Sequence, residues 1–352
     1  MKNERLLYPD YIRMISCIFV IVIHVTASEP WYSLDVHSGK WACLMIYNSL
    51  VRAAVPMFVM LSGMFLLNPK KKCDRPYLTG KICNLLVVYV VWSIVYAIIY
   101  CVENYSALQD NSIVDNVKTA VLYALGSKYH LWFLPMIIGI YLLVPCLRKI
   151  SEERKIMEYF LLLFMVFGIL RPFVLLIIKN DIIASVVNRV PIEAVIGYAG
   201  YFVLGYYLSA YAVSEKIRKV CYLLAFVAVG ASGASSIYLA RQANEPQGFM
   251  TDEFSLSTFL MATAIFLFVK ELMQKRKSSC GWADELVGMI AKNSLGIYLI
   301  HVFWIELLEK VGLDATCLHP ILGVPLLVVI IFSLSFISSW ILRKNKYLNK
   351  IM

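Results

Sequence analysis

Apolar segments long enough to cross a bilayer recur along the whole of this 352-residue chain. A helix rises about 1.5 Å per residue, so about twenty apolar residues span a hydrocarbon layer of roughly 30 Å. Backbone N–H and C=O groups find no water there, which leaves helices or closed barrels as the only spanning structures, and barrel strands need only about ten residues. The pattern predicts an all-α integral membrane protein, a bundle of about ten transmembrane helices forming one polytopic domain over residues 1–352. The predicted spans are 7–27, 45–67, 82–102, 129–147, 156–178, 192–211, 220–240, 254–273, 293–308 and 320–342. Composition agrees: 60% of residues are hydrophobic and 16% charged, with mean hydropathy +0.72, where a soluble domain carries about 25% charged residues.

Net charge is +10, and the placement of the basic residues gives its meaning. Assigning loops alternately puts twenty-two of the 33 Lys and Arg on the side of the N-terminus and seven on the other. This follows the positive-inside rule, so both termini are predicted cytoplasmic in a multi-pass protein of the cell (plasma or inner) membrane, with the bilayer and not nucleic acid as partner. The first span is too long for a signal peptide, carries Arg13 and lacks a small-residue cleavage site, so it is expected to be retained. A short amphipathic helix is predicted near 114–125, a short interfacial helix over 282–291, and a kink or break at Arg171 and Pro172, because proline removes a helical donor. Cys43 and Cys317 fall in predicted external segments where pairing is conceivable. The nine cysteines show no CxxC and no Cys/His metal spacing, so no metal site is read.

Chemistry concentrates in the first span. Arg13 and His24 lie eleven positions apart, three helical turns plus about 20°, so they share one face about 16 Å apart in depth. Charged and ionisable groups inside a membrane face protein or water and mark functional paths. A rival reading has Arg13 snorkelling and pairing with Asp10, and His24 as a neutral interhelical hydrogen-bonder. Arg52, Arg171 and the edge residue Lys292 add positive charge, offset by Glu193, Glu306 and Asp10. Such cations suit a polyphosphate ligand, the alternative being interhelical salt bridges such as Arg171 with Glu193. His24 is the better candidate base and His301 the second, with a core hydrogen bond as its alternative. Glu306 lies on a different face from His301.

Several segments together resemble the acyltransferase 3 family of integral membrane acyltransferases. Asp10-Tyr11-Ile12-Arg13 followed by ten residues and His24 is similar to that family's first helix. Arg52-Ala53-Ala54-Val55-Pro56-Met57-Phe58 leading to Ser62-Gly63 looks like its second, and Trp132-Phe133-Leu134 and Ser294 to His301 are similar to later segments. The resemblance implies transfer of an acyl group, often acetyl, from cytoplasmic acyl-CoA to a hydroxyl of a cell-envelope carbohydrate or lipid-linked glycan. No bound cofactor is implied, since acyl-CoA is the donor substrate. His24 would be catalytic and Arg13 essential at the donor site, with Arg52, Lys292, His301, Trp132 and Ser62 as substrate- or donor-binding candidates. The esterase-like domain that some members append is not expected here, and whether copies form a homo-oligomer is left open. The competing reading from another class is a secondary transporter or exporter of a glycan or amino acid, with Arg13 and His24 lining its path.

Overall fold

Proline and glycine mark several of the breaks in this structure. A computed structural model describes residues 6–109, 112–177, 193–246, 252–276 and 281–352, and every regular element among them is helical. In chain order these are α1 (Tyr8–Thr26), α2 (Glu29–Ser33), α3 (Gly39–Ser49), α4 (Ala54–Leu66), α5 (Arg75–Glu103), α6 (Tyr105–Leu108), α7 (Ile113–Gly126) and α8 (Phe133–Glu152). They are followed by α9 (Arg154–Leu163), α10 (Arg171–Ile177), α11 (Glu193–Ala210), α12 (Glu215–Ala243), α13 (Leu256–Lys275), α14 (Trp282–Lys292), α15 (Ser294–Lys310) and α16 (Pro320–Leu342). Serine or aspartate caps open many of them: Ser38, Asp74, Ser112, Ser214 and Ser255 each accept a backbone N–H of the following first turn.

Eight helical units among the described residues are long and apolar enough to cross a membrane, or nine if α14 and α15 form one span bent by 71°. The expectation of about ten is therefore met only in part, and two segments account for the difference. The segment expected over 192–211 appears as α11, which is kinked at Gly197 (φ +27°) and is not among the eight. The segment expected at 293–308 is the second limb of the α14–α15 elbow, whose first limb was read as an interfacial helix. The span expected at 45–67 is two stacked helices, α3 and α4, with a break at 50–53. The amphipathic helix expected near 114–125 is α7. At Arg171 and Pro172 a π-helical stretch, Phe164–Leu170, gives way to α10, in keeping with the donor that proline lacks. Arg171 is buried, while the Glu193 side chain proposed to pair with it lies outside the described residues. Cys43 and Cys317 are free thiols.

The most extensive helix contact joins α4 to α11, and glycine makes it. A Cβ on Gly63 would sit 1.8 Å from the Phe202 carbonyl oxygen, and one on Gly205 would sit 2.0 Å from that of Met60. Lipid is as apolar as leucine, so helices in a membrane associate by close backbone approach at small residues. Around this crossing lies the main core, with Met57, Met60, Phe164, Tyr201, Phe202 and Phe266 almost wholly buried. A second cluster, Trp31, Trp41, Leu44 and Met45, packs under α1 and α16.

Gly205→Val should therefore separate α4 from α11 and remove most folded protein in detergent. Gly80→Ala, on α5 where nothing lies within 4 Å of the new methyl, should leave stability unchanged or raise it by up to about 1 kcal/mol through helix propensity, so that the protein melts no lower than wild type. Size-exclusion profiles and thermal melts of the two variants make the comparison.

Candidate active site

Three histidines from three separate segments meet near the C-terminal end of α1. The His24 ring lies 5.1 Å from that of His301 and 6.5 Å from that of His130, and His130 and His301 are 5.4 Å apart, centroid to centroid. They sit at one end of a cavity of about 290 Å³ whose lining includes His24, Arg52, His130, Trp132, Glu253 and Tyr298 among apolar side chains. A mainly apolar pocket with a few convergent polar groups is the usual form of a small-molecule site.

His24, Tyr298 and His301 stand on continuous helix, whereas Arg52, His130, Trp132 and Glu253 arrive through local interruptions of it. Pro56 cannot donate to the carbonyl four residues back, that of Arg52, so the chain turns between α3 and α4 and Arg52 projects from the turn. Its guanidinium donates to Asn48 Oδ1. The Asn48 amide in turn donates to Thr26 Oγ1 at 2.9 Å, and the Thr26 hydroxyl to the Val22 carbonyl at 2.7 Å. This buried chain ties Arg52 to the end of α1, leaving its Nε without a protein partner.

Pro135 similarly frees the carbonyl of Leu131, and the residues before α8 form a 3-10 turn, Tyr129–Trp132. The turn sets Tyr129 5.3 Å from the His24 ring and brings Trp132 to the cavity wall. Two bonds from α15 hold it: the Tyr298 hydroxyl donates to the His130 carbonyl, and Lys128 pairs with Glu306.

His301 is fully buried, and its Nδ1 lies 2.6 Å from the Tyr298 carbonyl. A carbonyl can only accept, so Nδ1 carries the proton and Nε2 bears the lone pair. That Nε2 has no protein partner. The fourth contributor, Glu253, stands in the turn before α13, where the Tyr201 hydroxyl donates to its carbonyl at 2.6 Å and the Phe254 N–H donates to Asp252 at 2.8 Å.

The residues singled out from the sequence thus divide by place. His24, Arg52 and Trp132 line the cavity and His301 backs it. Arg13 lies toward the other end of α1, 3.7 Å from Asp10 and with its guanidinium 5.2 Å from the Phe65 ring, and it does not line the cavity. The Asp10 pairing matches the snorkelling alternative. Lys71 reaches the same Phe65 ring at 4.1 Å, and Arg148 donates to the Leu66 and Lys71 carbonyls, so several cations gather at that end of α4. Ser62 does not line the cavity either: its hydroxyl donates to the Phe58 carbonyl of its own helix at 3.0 Å. Phe58, Ser62 and Phe65 nevertheless share one face of α4, which runs from the cavity toward Arg13. Lys292 is elsewhere, in an open depression with Trp340, Arg343 and Lys344, where its carbonyl accepts from Arg343.

His130 and Glu253 were missed as site members. His130 adjoins the Trp132 segment that was singled out, whereas Glu253 sits in a loop with no local signal. Among the described residues no group of three His, Cys, Asp or Glu is placed to hold a metal ion.

A family model described as an acyltransferase domain matches residues 6–344. The chain belongs to the acyltransferase 3 family. With its long apolar helices, this makes it a multi-pass membrane protein of an acyltransferase family. Among curated proteins it is similar to an amino-acid racemase of Enterococcus faecalis, 31% identical over 135 residues, which is 38% of this chain but only 17% of the racemase. It is also similar to a probable poly-beta-1,6-N-acetyl-D-glucosamine export protein of Staphylococcus aureus, 21% identical over 83% of this chain and 80% of the other. No solved structure matches it.

The Lys128–Glu306 pair, with side chains 15% and 25% exposed, generates a stability prediction. Glu306→Gln leaves a mostly buried ammonium without its counter-charge and should cost about 1–3 kcal/mol, read as a lower melting temperature in detergent. Glu306→Gln with Lys128→Met should recover part of the loss, and an unchanged melt in the single variant would contradict the assigned pairing.

Proposed function

We propose that the protein is a membrane-embedded O-acyltransferase that moves an acyl group, most simply acetyl, from cytoplasmic acyl-CoA to a hydroxyl of a cell-envelope carbohydrate. The observation that carries the reading is the histidine group at the end of α1 with the family assignment behind it.

In this reading the CoA phosphates rest among Arg13 and Lys71 near the cytoplasmic end of α4, where guanidinium forks suit phosphate. The pantetheine arm then follows the face of α4 marked by Phe65, Ser62 and Phe58, which carries the thioester toward His24. The acceptor hydroxyl oxygen attacks the thioester carbonyl carbon while its proton passes to His24. The C–S bond breaks, and the proton is returned to the departing CoA thiolate. Arg52 stands beside the reacting carbonyl and steadies the charge that develops on its oxygen. His301, with Nδ1 pinned by a backbone carbonyl and Nε2 without a protein partner, is the second base of the histidine group, within reach of the same proton. In this reading both termini are cytoplasmic, which the basic asymmetry of the loops favours, and the membrane is the plasma or inner membrane of the cell.

A second reading has its own support, since relatives covering most of this chain are named as probable glycan export proteins. A transporter would move a glycan without consuming thioester.

Donor binding and chemistry should separate by variant. Arg13→Gln should weaken acetyl-CoA binding measured by calorimetry in detergent, with Arg13→Lys restoring only part of it, because lysine keeps the charge but not the fork. His24→Ala should leave binding near wild type and lower turnover by about a hundredfold or more, the scale of a general base. His301→Gln should lower kcat with little change in KM for the donor and shift the pH profile, whereas a residue that merely fills the core would leave that profile alone. Full activity in His24→Ala would overturn the mechanism.

A further inference from the structure

A second cavity, of about 480 Å³, lies on the outer side of the turn that carries Glu253. It is a groove between α10, α12 and the start of α13, walled by Phe173, Leu224, Val227, Ala231, Phe254 and Leu260. Leu224 and Val227 are 49% and 56% exposed, so the groove opens along the surface of α12 that faces away from the bundle. Its volume is within the range of ligand pockets. Its walls are not uniformly apolar: Asp252 lies at one edge, and Ser232, Ser235, Ser255 and Ser257 contribute to it.

Groove and histidine cavity share a wall. Asp252 and Phe254 line the groove while Glu253, between them, lines the histidine cavity. An aromatic series crosses the same wall: the Phe254 ring is 4.8 Å from Tyr198, and Tyr198 is 5.9 Å from Trp132, which lines the histidine cavity. Hydrogen bonds from Tyr201 to the Glu253 carbonyl and from Phe254 to Asp252 fix this rim.

The chemistry on each side selects a ligand. A lipid-facing apolar groove accepts a linear hydrocarbon, which gains free energy where water is displaced but little where it merely replaces lipid. Selectivity therefore has to come from the head group. The carboxylates of Asp252 and Glu253 accept hydrogen bonds from hydroxyls, and set against the single Arg52 guanidinium that lines the histidine cavity they leave the rim net negative, which disfavours phosphate or carboxylate heads. We propose that the groove seats the hydrocarbon tail of a neutral glycolipid whose sugar reaches over residues 252–254 into the histidine cavity, so that the acceptor enters sideways from the membrane. The proposal rests on the acyltransfer reading for its use and names the acceptor class: an amphiphile with an uncharged, hydroxyl-bearing head.

The test uses full-length protein in nanodiscs with three trace photoprobes, each carrying a diazirine in its alkyl chain: dodecyl glucoside, dodecyl phosphate and phosphatidylcholine. After irradiation, peptides are mapped by mass spectrometry. The glucoside should label 224–235 and 254–260 about tenfold more than either other probe, the factor that 1.4 kcal/mol of head-group contact provides. Ala231→Trp, which fills the groove from an exposed position on α12, should remove most of that labelling. Leu223→Trp, 63% exposed and outside the groove, should not. Equal labelling by all three probes, which would mean bulk lipid alone, or unchanged labelling in Ala231→Trp, would overturn the proposal. Acetyl-CoA binding is measured on the same samples and should be the same in all three proteins. Selective labelling in a protein whose His24→Ala variant keeps full turnover would preserve the seat and remove the acyltransfer mechanism. Loss of turnover in His24→Ala without selective labelling would do the reverse.

Discussion

Within a bilayer a backbone group that leaves the helical ladder must find another partner inside the protein, and the candidate site is built where this happens. Non-helical chain at membrane depth is tolerated only if it is buried in protein or lines a cavity. Four interruptions of regular helix converge here: the α3–α4 turn that carries Arg52, the 3-10 turn of Tyr129–Trp132, the elbow at Asn293 before α15, and the turn before α13 that carries Glu253. Each is held by named bonds. At the elbow, Asn293 donates to the Met289 carbonyl and accepts from Ser339. At the 3-10 turn, Tyr298 and Glu306 reach across from α15. Arg52, His130, Trp132 and Glu253 thus reach the cavity through breaks that would otherwise be costly, and meet His24 and Tyr298 there from intact helix.

Small residues make the frame in which these breaks can sit. The Gly63–Gly205 crossing lets α4 and α11 approach at backbone distance, and Gly296 is close enough to Ser339 that a Cβ would lie 2.1 Å from its hydroxyl oxygen. The first contact fixes the helix that runs from the cavity toward the cationic end. The second fixes the helix that bears His301. The proposed mechanism, with donor phosphates about 16 Å along the bundle from the base, depends on that rigidity more than on any single salt bridge.

The first span was legible because an arginine and a histidine in an apolar run are costly enough to demand a reason, and their spacing alone puts them on one face. Arg52 was legible as a charge inside an apolar run, and both it and Trp132 through the segments that resemble the acyltransferase 3 family. His130 and Glu253 were not, because a histidine beside an aromatic run and an acid in a polar loop carry no local signal, and only packing against α15 and α11 brings them to His24. Lys292 read as a donor-binding candidate beside Arg13 because depth along separate helices cannot be compared from sequence. In the structure it lies with Arg343 and Trp340, away from the histidine cavity. The count of spans suffered for a related reason: hydropathy registers an apolar run but not an elbow of 71° at Asn293 or a kink at Gly197.

The central claim is that the histidine cavity is a place of acyl transfer and not a stretch of transport path. Purified wild-type protein reconstituted in liposomes with acetyl-CoA on one side and glycolipid in the membrane decides between them, with free thiol followed by a chromogenic reagent and the glycolipid analysed by mass spectrometry. The account predicts stoichiometric release of CoA and an acetyl mass increment on the lipid. Movement of glycan across the membrane with the thioester left intact would contradict it.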